Sequence, residues 1–150
     1  MTEKHFPITG GCLCGAVRYE STEPPVIGAY CHCRMCQKAY GGLFSAWVEF
    51  PPSGFRFTKG EPKFYRSSKW AQRSICATCG SPLAFIYDED PAPNVFIGSL
   101  DHPDDWSLTQ KGWWGHAYVD EKVSWYVISD DMPQFASNYP EIPEGQGGAS

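Results

Sequence analysis

Long apolar segments are missing from this 150-residue sequence. No run approaches the roughly 20 consecutive apolar side chains that a membrane-spanning helix requires, and the N-terminal stretch MTEKHFPITGG lacks the apolar core of a signal peptide. We therefore expect a cytoplasmic protein with no membrane partner. Because thiols stay reduced in the cytoplasm, clustered cysteines in such a protein favour metal binding over disulfides.

Positive charge is also scarce. Twelve Lys and Arg against 17 Asp and Glu give a net charge of -5. An acidic chain binds phosphate backbones poorly unless it carries a basic arm or patch, and the sequence has no basic arm. We therefore expect no nucleic-acid partner.

Helix-forming segments are few. Only Arg34 to Tyr40 has a helix-favouring composition, and Gly41-Gly42 is expected to end that helix. Elsewhere, β-formers alternate with clusters of Gly, Pro, Asp and Ser. The segments predicted as strands are Ala16–Glu20, Phe44–Phe50, Phe55–Phe57, Lys63–Arg66, Pro82–Tyr87, Asn94–Ile97 and Val123–Val127. The sequence thus predicts an all-β fold with one short helix.

The chain length is typical of one domain, and no internal boundary or repeat is visible. We predict a single domain over residues 1–136. Residues 137–150, which are rich in Pro, Gly and Glu, are predicted to form a loosely ordered tail. Nine Phe, eight Tyr and six Trp are expected to fill the core rather than to stack on bases.

The cysteines are the residues that point most clearly to a function. Seven cysteines, an odd number, fall into three groups: Cys12-Leu13-Cys14, Cys31-His32-Cys33-Arg34-Met35-Cys36, and Cys76-Ala77-Thr78-Cys79 followed by Gly80. Two thiolates three residues apart on a tight turn can bind one zinc ion at about 2.3 Å. The glycine after such a pair permits a positive φ. The pattern predicts zinc rather than a thioredoxin-like redox site, because no βαβ pattern surrounds it.

Seven ligands divide naturally into a closed site of four and an open site of three, since a catalytic zinc keeps one position free. In one partition, Cys12, Cys14, Cys76 and Cys79 close a site and Cys31, Cys33 and Cys36 form the open one. In the other, Cys33, Cys36, Cys76 and Cys79 form a zinc ribbon and leave Cys12, Cys14 and Cys31. Spacing alone does not choose between them.

Five segments occur here in an order and spacing typical of one family: GGCLCGAVRYE, CHCRMCQKAYGG, CATCGSPLAF, FIGSLDHP and GWWGHAYVDEKVSWYVISDDMPQF. Residues 9–136 resemble the glutathione-dependent formaldehyde-activating enzyme (GFA) family, which also includes centromere protein V (CENP-V). The resemblance implies folded-over antiparallel sheets around a structural zinc, a β-tent or MSS-four-like fold. It also implies the first partition: structural ligands Cys12, Cys14, Cys76 and Cys79, and catalytic zinc ligands Cys31, Cys33 and Cys36.

The activity that the resemblance implies is that of a zinc-dependent carbon–sulfur lyase. It would act on thiol–aldehyde adducts, as S-(hydroxymethyl)glutathione synthase does, with a small thiol such as glutathione and an aldehyde such as formaldehyde as partners. The alternative is a non-catalytic zinc-binding module for protein interaction. One departure affects the substrate. Where the family often has RKASG, this chain has Gln37-Lys38-Ala39-Tyr40-Gly41, and the bulky Tyr40 is expected to narrow the pocket.

The chemistry of a three-thiolate zinc agrees with this reading. Such an ion keeps a net negative charge and activates water weakly, whereas a coordinated thiol is deprotonated and nucleophilic at neutral pH. Arg34 and Lys38, four residues apart on the predicted helix, are candidates to bind substrate carboxylates. The side chain of His32 is expected to point away from the metal, and His116 is expected to be a packing or surface residue.

Overall fold

The computed structural model describes residues 3–138. Ten strands and one helix follow in chain order: β1 Ile8–Gly11, β2 Arg18–Ser21, β3 Ile27–Cys31, α1 Arg34–Tyr40, β4 Ser45–Glu49, β5 Phe55–Lys59, β6 Lys63–Arg66, β7 Ala71–Ile75, β8 Pro82–Tyr87, β9 Asp90–Phe96 and β10 Gly115–Ala117. Three single-turn 3₁₀ helices lie at Ile97–Ser99, Pro103–Asp105 and Val119–Glu121. The mostly-β prediction with one short helix is confirmed.

The strands form two sheets. The smaller has the order β1-β2-β5, and the larger has the order β10-β3-β4-β9-β8-β7-β6. All neighbouring strands pair antiparallel except β10, which lies parallel to β3. This parallel pair brings the chain after residue 113 back beside the strand that ends at Cys31.

Buried side chains from both sheets form the main core. Its large, fully buried members include Tyr19, Phe50, Leu83, Val48 and Val95, each no more than 1% exposed. Full burial of an aliphatic or aromatic side chain contributes about 1.5–3 kcal/mol relative to exposure. Several aromatic residues belong to or pack against this core, as the sequence predicts, whereas Phe6, Phe64 and Trp125 are exposed.

The helix begins and ends where its sequence indicates. Cys33 is the N-cap, with extended backbone and a sulfur that accepts a hydrogen bond from the Cys36 N–H. Gly41 ends α1 in the left-handed region at φ 72°, and its N–H donates to the Gln37 carbonyl at 2.9 Å. A residue with a side chain is strained at that φ, which is why glycine stands there.

One predicted strand is wrong. Residues 123–127 are β-formers in sequence but form an irregular loop, in which Trp125 and Val127 are 72% and 77% exposed. Local propensity is overridden because this segment pairs with no strand edge among the described residues. Most of the predicted tail, residues 137–150, lies outside the described residues, and the domain over 1–136 stays a prediction. Within residues 3–138, no helix is long and apolar enough to cross a bilayer.

Candidate metal centres

Four cysteines from two distant loops meet in one cluster. Cys12 and Cys14 follow β1, while Cys76 and Cys79 follow β7, and their sulfurs all lie within 4.8 Å of one another. The Cys12–Cys14 and Cys14–Cys76 sulfur distances are 3.6 and 3.8 Å. A tetrahedral zinc with bonds of about 2.3 Å requires sulfurs about 3.8 Å apart. The cluster therefore fits a closed zinc site.

Tight turns shape both loops of this four-cysteine cluster. Gly15 and Gly80 follow the second cysteine of each loop at φ 80° and 78°, and their N–H groups donate to the Cys12 and Cys76 carbonyls. Only glycine adopts this backbone without strain. The turns leave other groups free to bond sulfur, and the Val17 N–H lies 3.2 Å from the Cys12 sulfur.

Ser81 joins the two loops. Its hydroxyl lies 3.1 Å from the Cys79 sulfur and accepts a hydrogen bond from the Leu13 N–H at 3.0 Å. Hydrogen bonds from the Ser81 side chain and backbone lower the pKa of Cys79 to about 5. A thiol with so low a pKa is a thiolate at neutral pH, which is the form that binds metal.

The remaining cysteines form a second, compact cluster. Cys31 ends β3, Cys33 caps α1 and Cys36 lies in its first turn, and the three sulfurs lie within 4.8 Å of one another. Cys33 and Cys36 are buried, and Cys31 is half-buried. Within the described part of the chain, no His, Asp or Glu completes this set as a fourth ligand. Three thiolates with one open position match the donor set of a substrate-binding zinc.

The three thiols differ in how readily they lose a proton. Hydrogen bonds from the Cys31 and Cys33 thiols, with help from the charge of Arg73 and the Ser45 hydroxyl, hold the pKa of Cys36 far below its usual value. Hydrogen bonds with Cys33 and Cys36, followed by burial, raise the pKa of Cys31. Three touching sulfurs cannot all ionise without a positive ion between them. This mutual repulsion is the electrostatic reason why the cluster suits zinc.

The structure groups the cysteines as in the first partition. It brings Cys12, Cys14, Cys76 and Cys79 together and keeps Cys31, Cys33 and Cys36 apart from them. The zinc-ribbon alternative, with Cys33 and Cys36 beside Cys76 and Cys79, does not occur. That these groups are metal ligands remains a prediction, with geometry in its favour.

A cavity opens beside the three-cysteine cluster. It is small, about 40 Å³, and aromatic rings form much of its wall. Its lining residues are Cys31, Cys36, Ser45, Trp47, Arg73, Phe85, Tyr87, Asn94, Phe96, Tyr118 and Asn138. A concave, mostly apolar space with a few polar groups beside candidate ligands is typical of a small-molecule site.

Arg34 and Lys38 lie outside this lining. Both are exposed; the Arg34 guanidinium donates to the Gln37 side chain, and its backbone N–H donates to Glu121 at 3.0 Å. Their role in substrate binding stays a prediction. Tyr40 is not among the lining residues either, so the expectation that it narrows the pocket is not confirmed. Its hydroxyl instead accepts a hydrogen bond from Arg73.

Two groups near this cluster are not apparent from sequence spacing. Arg73, on β7, is a buried cation beside Cys36. His32 is fully buried, and its Nε2 lies 2.9 Å from Nδ1 of His116, whose Nε2 lies 2.9 Å from Asp130. This chain of three side chains fastens the cysteine loop to β10 and to the segment after it. Only long-range pairing brings these residues together, so local patterns give no signal for them.

Comparisons with known proteins agree with this picture. The family model for the glutathione-dependent formaldehyde-activating enzyme matches residues 7–116. An uncharacterized lyase of Schizosaccharomyces pombe is 31% identical over 87 residues, which are 56% of this chain and 61% of that protein. The alignment thus spans less than two thirds of the curated relative.

A crystal structure of a Rhodobacter sphaeroides protein superimposes with a TM-score of 0.52 at 21% identity, over 73% of this chain and 99% of that one. At this identity the likeness shows the fold alone. The family model, in contrast, covers most of the chain and includes all seven cysteines. The chain therefore belongs to the glutathione-dependent formaldehyde-activating enzyme family.

Proposed function

We propose that this protein is a zinc-dependent carbon–sulfur lyase that makes and breaks thiol–aldehyde adducts at the Cys31, Cys33 and Cys36 cluster. The observation that carries the proposal is a three-sulfur cluster with no fourth protein ligand among residues 3–138, placed in the wall of a cavity. Membership of the family and the lyase name of the yeast relative support the same class of reaction.

Zinc held there would supply a position at which a thiol loses its proton to water at neutral pH. In the synthetic direction, the thiolate sulfur then donates an electron pair to the aldehyde carbon. The carbon–oxygen π pair moves to the oxygen, which takes a proton from water. In the reverse direction the oxygen loses that proton, the carbonyl forms again and the sulfur leaves with the bonding pair. No oxidant or reductant is needed.

The protein's own residues hold and enclose the reacting groups. Hydrogen bonds involving the cap of α1 fix Cys33 and Cys36 relative to one another. Trp47, Phe85 and Phe96 supply apolar walls, which lower the local dielectric and strengthen electrostatic interactions inside the cavity. Strand β7 connects the cavity to the four-cysteine cluster. Arg73 on this strand lines the cavity, and Cys76 directly follows the end of the strand.

The test is adduct exchange measured by NMR with ¹³C-formaldehyde and either glutathione or 2-mercaptoethanol. We expect zinc-loaded protein to exchange label faster than buffer, and Cys31→Ser to return the rate to background while the fold persists. Thr78→Ser, beside the other cluster, is the matched control and should keep the rate. A wild-type rate equal to background with both thiols would contradict the lyase proposal and favour the non-catalytic interaction module.

A further inference from the structure

Arg73 is an unusual residue for the interior of this protein. It is 1% exposed and lies on β7. Among residues 3–138 it forms no ion pair with a carboxylate. A buried cation without such a partner costs several kcal/mol, so its neighbours must compensate for the lost hydration.

Part of that compensation comes from the three-cysteine cluster. Nη1 and Nη2 of Arg73 lie 3.9 and 3.8 Å from the Cys36 sulfur, and Nη1 also donates to the Tyr40 hydroxyl. The rings of Tyr40 and Phe85 each lie 5.0 Å from the guanidinium carbon, within cation–π range. The outer edge of the guanidinium is therefore turned toward the sulfur.

The other donor of the guanidinium has no partner. Nε is buried and makes no hydrogen bond to any described residue. A buried unpaired donor is costly, and a guanidinium N–H without a partner suits an anionic oxygen because a hydrogen bond between two charged groups is strong.

The cavity offers no other cation. Among the described residues that line it, Arg73 is the sole Lys or Arg side chain, and half of the other lining residues are aromatic. An arginine side chain stays protonated at any physiological pH, so the guanidinium is charged. It can donate hydrogen bonds to a ligand but cannot transfer a proton.

We propose that Arg73 is the anion-recognition residue of this cavity, and that it binds an anionic oxygen of a ligand whose sulfur lies at the three-cysteine cluster. Two sources of this oxygen share the same chemistry. One is a carboxylate carried by the thiol or aldehyde. The other is the aldehyde oxygen, which becomes negative when the carbon–oxygen π pair moves onto it. Only the second source, the aldehyde oxygen, rests on the proposed lyase function.

A binding experiment tests the first source without using activity. Cobalt-loaded protein is titrated with mercaptoacetate and with 2-mercaptoethanol, two small thiols that differ in the carboxylate, and sulfur-to-cobalt charge-transfer absorption gives each Kd. We expect wild type to prefer mercaptoacetate and Arg73→Met to lose that preference by about tenfold or more, the usual scale of a charged hydrogen bond. Arg73→Lys keeps the charge but not the fork, and should keep only part of the preference.

The rate experiment tests the second source. With formaldehyde and 2-mercaptoethanol, neither of which carries a carboxylate, Arg73→Met should lower kcat more than it raises KM. Arg66→Met is the matched control. It removes an exposed arginine of β6 that pairs with Asp88, and it should match wild type in both experiments. Metal content is measured for every variant, so that loss of metal is not mistaken for loss of anion binding.

The outcomes separate the two proposals. A preference for mercaptoacetate that depends on Arg73, in a protein without exchange activity, would support the anion site and contradict the lyase. Unchanged preference and unchanged rates in metal-replete Arg73→Met would overturn the anion site and leave Arg73 as a counter-ion of the cluster. If Arg73→Met does not fold, the same comparison is made with Arg73→Lys, and wild-type values in both experiments would be the contradicting result.

Discussion

The two cysteine clusters differ in how the chain makes them and in where they lie. The four-cysteine cluster joins loops that are more than 60 residues apart, and two of its members, Cys14 and Cys79, are exposed. The three-cysteine cluster comes from one six-residue segment and lies in a cavity wall. A metal in the first would hold distant parts of the fold together, whereas a metal in the second would add little to the fold and would keep a position for a ligand.

This difference predicts unequal costs for losing one ligand, and this is the largest effect that we expect. Cys76→Ser opens the junction between the β1 and β7 loops, and structural zinc contributes on the order of 10 kcal/mol to small metal domains. We expect this variant to lose cooperative unfolding at 25 °C, as measured by circular dichroism during urea titration.

Cys31→Ser is the matched change in the other cluster. Cys31 is half-buried as a residue, and its cluster is local to one segment, so we expect the free energy of unfolding to fall by about 1 kcal/mol. Equal losses of stability in Cys76→Ser and Cys31→Ser would remove the distinction between a structural and an open cluster.

Metal removal should follow the same order. We expect a chelator to take the first metal equivalent from the three-cysteine cluster without changing the far-UV circular dichroism, and to take the second only as the protein unfolds. The reason is that an open position lets a competing ligand attack the ion, whereas four thiolates shield it. Simultaneous loss of both equivalents, with unfolding from the start, would be the opposite result.

A smaller effect is expected from the hydrogen bonds that join His32, His116 and Asp130 behind the three-cysteine cluster. Partial burial raises the pKa of Asp130, but hydrogen bonds from the Met132 N–H and His116 outweigh this and leave it below its usual value. The ionised form is therefore favoured in the folded state. Asp130→Asn should cost about 1–2 kcal/mol of unfolding free energy at pH 7.

The sign of the pH dependence follows from the lowered pKa. The contribution of Asp130 is fully present above its unfolded pKa of about 4 and is lost as the pH falls through the lower folded value. Urea titrations should show a constant gap between wild type and Asp130→Asn from pH 5 to 8. A gap that grows as the pH falls over this interval would contradict the assignment of the charge to Asp130.

The smallest effect concerns the four-cysteine cluster. Ser81→Ala removes the hydroxyl between Cys79 and the Leu13 N–H, and we expect a loss of about 1 kcal/mol in unfolding free energy. The pKa of Cys79 should rise, so zinc should be lost at a higher pH than in wild type when metal release is followed with a colorimetric indicator. Release at the same pH in both proteins would show that Ser81 does not act on the thiolate.

The elements that depend on local sequence patterns could be predicted. The limits of α1 follow from residue types between Cys33 and Gly41, and the strands Lys63–Arg66 and Pro82–Tyr87 match the alternation of their side chains. Cysteine spacing predicts two sites of four and three, but not which cysteines form each. The resemblance to the family, and then the fold, bring the two loops of the four-cysteine cluster together.

What was not predictable depends on pairing between distant strands. The strand β10 has three residues and exists because it lies beside β3, which also places His116 against His32. Arg73 belongs to a strand of mixed polarity, Ala71–Ile75, and nothing in that stretch marks an arginine as buried. Residues 123–127 show the reverse, because a strong local preference for strand finds no strand partner among residues 3–138.

We propose that the chain holds two metal ions, one in a closed site and one in an open site. Native mass spectrometry of zinc-loaded wild type and Cys31→Ser, with and without 2-mercaptoethanol, tests it most directly. We predict two zinc ions and one bound thiol per wild-type chain, and one zinc ion with no bound thiol per Cys31→Ser chain. One zinc ion in both proteins, or a thiol adduct on the variant, would contradict the account.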